Sequence, residues 1–311
     1  MPALPGRDIA GDGNGVKAAA LRYERASSLA DALALLQRHG ASATLIAGGQ
    51  SLVPALNLRM AAPELLIDIS RLDALRGVQV MTEGGSPRLR IGAMTRHAEL
   101  GRSPEIARHA PLLHLAVGHV AHAAIRNRGT FGGSLAHADP ASELPACALA
   151  LGARMHVVGL AGARVIDAGD FFIGLHQTAL QPGEILVAVE VDVLADGFRP
   201  GFAELARRQG DYALVGLAAH ARPIPGQMRF AAIAPVFFSV GARPLLAAAA
   251  ARVLTDATIA DADRLHLAQQ ALAADLDPPA DPQASSAMRL HLARVLLGRV
   301  VAQLVGTPDV I

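Results

Sequence analysis

The sequence holds one cysteine, no tryptophan, two tyrosines and only 3% aromatic residues in 311 positions. A single thiol, Cys147, excludes an intrachain disulfide framework. It also excludes a protein-borne iron–sulfur cluster, which takes about four thiolates. If the chain handles electrons, it must hold an organic cofactor or receive them from metal centres on another chain. Charge of one sign is lacking too: 28 Lys and Arg against 27 Asp and Glu leave a formal +1. No general field therefore draws nucleic acid or an anionic membrane. Nor is there a long hydrophobic run. The longest, over residues 231–251, is broken by Arg243 and Pro244, whereas a spanning helix takes about 20 predominantly apolar residues. The N-terminal MPALPGRDIAGDGNG carries Arg7 and Asp8 and no apolar stretch fit for an export signal. The expectation is a cytoplasmic chain with no membrane span and no nucleic-acid partner.

What is present is a 52% hydrophobic composition, built mainly of Ala, Leu and Val, long enough for two or three compact subdomains. Residues 1–19 lack periodicity and read as a flexible extension. Gly11, Gly13 and Gly15 do not make a dinucleotide loop, because no strand precedes them. SSLADALALLQRHG predicts a helix capped by Ser27 or Ser28 and ended by Gly40. ATLIAGG, ELLIDIS and RLRIGAM read as strands, followed by a Thr95-led helical turn. Residues 104–124 are helical in pattern, with Pro104 and Pro111 at two starts. IRNRGTFGGSLAHADPASELP reads as a long polar, glycine-rich segment, and ELPACALALGA as a helix. RMHVVGL and EILVAVEVDV are strands, the latter placing Ile185, Val187, Val189 and Val191 on one face. Beyond residue 197, GFAELARR, ALVGLAAHA, MRFAAIA and VFFSVG are strand-like, and helices are expected near 244–254, 258–275 and 286–304. Runs of strands followed by helices argue an α+β fold.

Two segments carry chemical information: Ala47, Gly48, Gly49, Gln50 and Ser51 after a strand, and Thr130, Phe131, Gly132, Gly133 and Ser134. Paired glycines remove Cβ atoms that would block an anion and permit positive φ, which turns successive N–H groups inward. Two such loops converging would suit a pyrophosphate; each alone also reads as a tight turn. Neither is a Walker loop, since no Lys follows. Asp139 and Glu143 end the second segment. A carboxylate there suits ribose or ribityl hydroxyls, and Glu143 equally suits the first turn of a helix.

AGGQSLVPALNLRM, IGAMTRHAEL, IRNRGTFGGSLAHADPASELPA and ARRQGDYA, in this order, resemble the FAD-binding medium subunit of molybdenum hydroxylases. Carbon monoxide dehydrogenase is the nearer type and the flavin domain of xanthine dehydrogenase the more distant. The resemblance implies a vanillyl-alcohol-oxidase-like (PCMH) two-subdomain FAD-binding fold over residues 20–76 and 77–196. It implies a CO dehydrogenase flavoprotein-type C-terminal domain, a small antiparallel sheet plus helices, over 197–311. It implies that Ala47, Gly48, Gly49, Gln50 and Ser51 with Thr130, Phe131, Gly132, Gly133 and Ser134 line the diphosphate and ribityl chain. Glu143 would bind cofactor hydroxyls, Leu186 would lie by the adenine or flavin wall, and Tyr212 beside the isoalloxazine; a strand tyrosine packed in a core is the alternative for Tyr212. Gln50 stands where the family often has His, Thr or Asn, and Phe131 where it has Ile or Val. VFFSVGARPLL matches loosely.

The implied function is an electron-transfer subunit. FAD would sit on this chain, with the molybdenum cofactor on a large partner and [2Fe-2S] clusters on a small one, in a dimer of heterotrimers. A self-contained flavin oxidoreductase and a cofactor-free structural subunit remain as alternatives. No catalytic or metal-binding residue is assigned. His119 and His122 could share a helix face but have no carboxylate or thiol partner in the sequence. Arg126 and Arg128 read either as phosphate ligands or as partners of helix C-terminal carbonyls, and Cys147 as a buried small hydrophobe.

Overall fold

The computed structural model describes residues 17–83, 86–208 and 210–306; Gly11, Gly13 and Gly15 and most of the expected N-terminal extension lie outside them. Three larger sheets and one two-stranded sheet carry the described chain. The first is parallel, with β1 (Arg22–Arg25), β2 (Ala43–Ile46) and β3 (Leu65–Asp68) in the order β1-β3-β2. The central β3 is buried at every position. Helix α1 (Leu29–His39) starts where the Ser28 hydroxyl accepts the Asp31 N–H, and ends at Gly40. Its Leu33 and Leu36 share a core with Leu65 and Ile67. Asp68 closes the sheet, accepting from Tyr23, from Arg25 at 3.1 Å and from the Ser70 N–H at 2.7 Å. Helix α2 (Leu52–Asn57) leaves the glycine turn that follows β2.

The second sheet is antiparallel. It is built from β4 (Val78–Glu83), β5 (Ser86–Gly92), β6 (Arg154–Gly159), β7 (Gly162–Asp167) and, after the hairpin β8 (Phe172–Gly174) and β9 (Gln177–Thr178), β10 (Ile185–Asp192). The order is β4-β5-β10-β6-β7. Between β5 and β10 come α3 (His97–Leu100), α4 (Pro104–His109), α5 (Pro111–Val117), α6 (Ala123–Arg126), α7 (Phe131–His137), α8 (Glu143–Ala150) and α9 (Ala168–Phe171). The two expected proline starts are the N1 positions of α4 and α5, where a missing N–H costs nothing. The helical pattern expected over 104–124 is interrupted: His119 and His122 lie in the turn between α5 and α6, on no common helix face.

The alternation expected along β10 is also broken. Its register shifts between Leu186 and Ala188, a bulge that turns the strand by one residue. Ile185 and Val187 pack with the core of the first sheet. Leu186, Val189 and Val191 pack with the core of the second. One strand thereby closes two cores and sets Leu186 beside the space between them.

The third sheet is antiparallel, β11 (Arg199–Ala206), β12 (Ala213–Pro223), β13 (Phe230–Phe238) and β14 (Leu245–Leu246). The two strands expected at 228–240 are the single β13. Helices α10 (Ala248–Thr255), α11 (Asp261–Asp275) and α12 (Ser286–Val305) follow. Val215, Leu217 and Ala219 of β12 pack with Leu296 and Val300 of α12. Ala218, Val236 and Phe238, on the other face, join the core that holds Leu144 and Cys147 of α8. The thiol is fully buried, and burial raises it well above its ordinary pKa, so it serves as a small hydrophobe. Among the described residues no helix is long and apolar enough to cross a membrane.

Candidate functional site

A cavity of about 620 Å³ opens where the three sheets meet. Ala47, Gly48, Gly49, Gln50 and Ser51 form one wall, Thr130, Gly132, Gly133 and Ser134 a second, and Glu143, Leu186 and Tyr212 are among the other lining residues. Residues far apart in the sequence thus line one cavity, as the family resemblance implies. Phe131 is the exception. Its ring is fully buried in the central core and does not line the cavity, so the bulk that distinguishes it from Ile or Val is taken up by packing.

The two glycine segments are built differently. The first turns at Gly49, whose φ of +72° favours glycine. Gln50 Nε2 folds back to donate to the Gly48 carbonyl at 2.9 Å, which spends the side chain on shaping the turn. The N–H groups of Gly48, Gly49, Gln50 and Ser51 have no acceptor among the described residues, and Ser51 makes no capping bond. This segment lines the cavity with donors that are unspent among the described residues.

The second segment is not an open loop. Residues 131–137 are helical, with Thr130 as N-cap, and neither Gly132 nor Gly133 has positive φ. The N–H groups of Phe131, Gly132, Gly133 and Ser134 are spent inside the protein. Phe131 donates to the Thr95 carbonyl and Gly132 to that of Ala93, both at 2.8 Å, and Gly133 donates to Thr130 Oγ1 at 3.2 Å. The glycines serve close packing instead of leaving room for an anion. A Cβ on Gly132 would lie 2.4 Å from Ala93 Cβ, and one on Gly133 2.6 Å from Thr130 Oγ1. Gly48 brings the two segments together, since a Cβ there would lie 2.3 Å from the Arg128 carbonyl oxygen. What the second segment offers the cavity is side-chain hydroxyls.

Charge in the cavity is carboxylate and imidazole. Burial pushes Glu143 up to about 7, with Glu204 and Asp139 raising it further and His119 opposing. Glu204 approaches His119 Nδ1 at 3.3 Å, the partner that His119 lacks in the sequence, and this contact raises the imidazole above its ordinary value. Tyr212 is 68% exposed at the rim, so it is no core tyrosine. Partial burial, and then the Asp139 and Glu143 carboxylates, hold its phenol high. Arg126 donates to the Val120 and Ala121 carbonyls at 2.9 and 2.7 Å, which settles its role as structural. Arg128 lines a separate cavity of about 580 Å³ behind residues 47–50, with Arg25 and Arg71.

Sequence reasoning missed His97 and His137, which also line the main cavity. His97 is buried, its Nε2 3.0 Å from the Thr130 carbonyl oxygen and 3.1 Å from Ser134 Oγ. His137 stacks on His176, ring centroids 4.5 Å apart, and is lowered by burial and by that neighbour. Unspent backbone donors on one wall, hydroxyls on the other and a half-buried carboxyl between suit an elongated ligand with linked anionic groups and several hydroxyls. The size is that of a cofactor pocket.

Two families match the chain in sequence: the FAD binding domain in molybdopterin dehydrogenase over residues 18–192, and the CO dehydrogenase flavoprotein C-terminal domain over residues 201–304. The chain is 38% identical over 281 residues to the 6-hydroxypseudooxynicotine dehydrogenase complex subunit alpha of Paenarthrobacter nicotinovorans, covering 90% of this chain and 93% of that one. It is 35% identical over 280 residues to the carbon monoxide dehydrogenase medium chain of Afipia carboxidovorans, covering 90% and 94%. Among solved structures it matches a chain of reconstituted CO dehydrogenase from Oligotropha carboxidovorans with a TM-score of 0.87 at 32% identity, covering 94% and 99%. It matches quinoline 2-oxidoreductase from Pseudomonas putida 86 with a TM-score of 0.85 at 36% identity, covering 93% and 98%.

Proposed function

The chain belongs to the FAD-binding family of molybdopterin dehydrogenases, and from that membership we propose how its residues share the work. It is the FAD subunit of an oxidoreductase whose molybdenum and iron–sulfur groups sit on other chains. FAD, when bound, supplies reversible storage of electrons; the protein supplies placement and electrostatics. The N–H groups of Gly48, Gly49, Gln50 and Ser51 hold the diphosphate, with Ala47 keeping that wall bare of larger side chains. The Thr130 and Ser134 hydroxyls face them. Phe131, Gly132 and Gly133 act from behind, by holding α7 against Ala93. Glu143 binds cofactor hydroxyls, Leu186 gives an apolar wall, and Tyr212 covers the isoalloxazine at the rim.

The observation that carries this reading is the row of four unspent N–H donors on a cavity of about 620 Å³. Such donors suit linked anionic groups. Electrons arrive from the iron–sulfur clusters of a small partner, after substrate has been oxidised on a large molybdopterin-binding partner. The assembly is a cytoplasmic dimer of heterotrimers, and the substrate is chosen on the large chain.

The visible spectrum of the purified chain after incubation with FAD tests the cofactor. We expect flavin bands that survive desalting and about one extractable FAD per chain; a colourless product that leaves FAD fluorescence unquenched overturns the reading. Purification of the native protein through a tag on this chain tests the assembly. Two co-eluting chains carrying molybdenum and iron are expected, and a chain that elutes alone with its flavin contradicts the subunit role.

A further inference from the structure

We propose that His97 is a positioning residue that keeps the Ser134 hydroxyl free to donate toward the ligand of the main cavity. The inference rests on reading that cavity as the FAD site. His97 lies on α3, the first turn after β5, and is 4% exposed. Its backbone N–H donates to the Gly129 carbonyl at 3.0 Å, which lays α3 along the start of the second glycine segment. Two ring contacts then decide the proton on the imidazole.

Nε2 stands 3.0 Å from the Thr130 carbonyl oxygen, a group that can only accept. Nε2 therefore carries the hydrogen. Nδ1 is buried without a partner among the described residues, packed on Gly129, where a Cβ would lie 2.9 Å from Nδ1 and from Cε1. A second ring proton would be a buried donor with nothing to receive it. Burial lowers the imidazole to about 4, with the nearby Arg126 charge acting in the same direction and the Thr130 bond opposing. The ring is neutral, with its hydrogen on Nε2.

Ser134 Oγ is 3.1 Å from that same Nε2. With the hydrogen on Nε2, the serine oxygen can only accept from the ring, and its own hydrogen is left for the cavity that Ser134 lines. In the other tautomer Nε2 would take the serine hydrogen and oppose the Thr130 carbonyl. The choice of tautomer thus separates a serine spent on histidine from a serine that donates to an anionic group. This complements the first segment: donors there come from backbone, donors here from a hydroxyl kept free by its neighbour.

The test uses the full chain stripped of flavin, titrated with FAD and followed by flavin fluorescence, together with the ¹⁵N spectrum of the His97 ring. A hydrogen bond to a charged group is worth about tenfold or more in affinity. Ser134→Ala should weaken FAD binding about tenfold, His97→Leu by a similar factor, and the double variant no further than either. His97→Gln, whose amide can donate to both Thr130 and Ser134, should stay within about threefold of the unaltered chain. The ¹⁵N spectrum should show the ring hydrogen on Nε2 with and without FAD, at pH 6 as at pH 8. A hydrogen on Nδ1, undiminished binding in Ser134→Ala, or losses that multiply in the double variant would each overturn the proposal. If His97→Leu does not fold, the spectrum, Ser134→Ala and His97→Gln still decide. Failure of the unaltered chain to bind FAD would bring down the functional reading and the role of Ser134 together, whereas normal binding by Ser134→Ala brings down the role alone.

Discussion

Glu143 opens α8 with its carboxyl on the main cavity, where burial outweighs every other influence and raises it to about 7. The ordinary value is 4.5, so between the two the unfolded chain releases this proton while the folded chain retains it. Folding stability should therefore fall as pH rises from about 4.5 to about 7 and stay level above, by an amount of order 3 kcal/mol. Glu143→Gln should remove that slope and be the more stable protein at pH 8, while binding FAD less tightly; urea melts of both chains at pH 5 and pH 8 check the sign. An unchanged slope in the variant would show that another group carries it. Glu143 was legible in the sequence because an acid three residues beyond Asp139-Pro140 fits both a helix start and a hydroxyl-binding carboxylate; the structure sets it in the first turn of α8 and on the cavity. His97 was not legible. Its partners, Thr130 and Ser134, lie 33 and 37 residues away, and a lone histidine in the polar turn Thr95-Arg96-His97 carries no signal of a contact that distant in sequence.

The paired glycines of both walls gave the site away in the sequence, but for a reason that holds for only one of them. Gly49 turns the chain by its positive φ; Gly132 and Gly133 are helical and close against Ala93 and Thr130. Glycine weakens a helix by about 1 kcal/mol per residue, so a segment with two of them reads as a loop unless its packing partner is known. The bulge in β10 was equally hidden, because Val and Ile continue to alternate through it while the register shifts between Leu186 and Ala188. Close approach makes a sharper prediction than conformation does. Gly48→Ala puts a methyl 2.3 Å from the Arg128 carbonyl oxygen, a backbone atom that cannot swing aside, and parts the two walls. It should cost about 1–3 kcal/mol of stability and most of the FAD affinity. Gly49→Ala meets only side chains at 3.3 Å and should cost about 1–2 kcal/mol through its backbone alone. Thermal melts paired with FAD titrations separate the two, and equal losses of affinity in both variants would contradict the assignment of Gly48 to the joint.

At the scale of the whole molecule, the near-absence of cysteine carried far. One buried thiol is too few for an iron–sulfur cluster, which leaves an organic cofactor or electrons from another chain, and the relatives are subunits of complexes. The α+β class and the order of strands before helices in the last third were also legible, since β11, β12, β13, α11 and α12 are each eight residues or longer. The way the sheets share cores was not, because it depends on which faces meet. Ala218, Val236 and Phe238 of the third sheet belong to the same core as Leu89 and Ile91 of the second, and β10 adds Ile185 and Val187 to the first. No sheet is separable without exposing an apolar face of its neighbour. The main cavity draws on all three: residues 47–51 follow the first sheet, Leu186 belongs to the second, and Tyr212 precedes β12 of the third. A ligand that binds there holds the sheets together only in the folded state, so its binding free energy adds to folding. At a hundredfold excess over Kd this is about 2.7 kcal/mol. At roughly 2 °C per kcal/mol for a chain of this size, FAD should raise the melting midpoint by about 5 °C, and calorimetry should show one sharpened transition in place of a broader one. A transition that FAD leaves unmoved, or a shift confined to one part of a split transition, would mean that the cavity does not join the three sheets in solution.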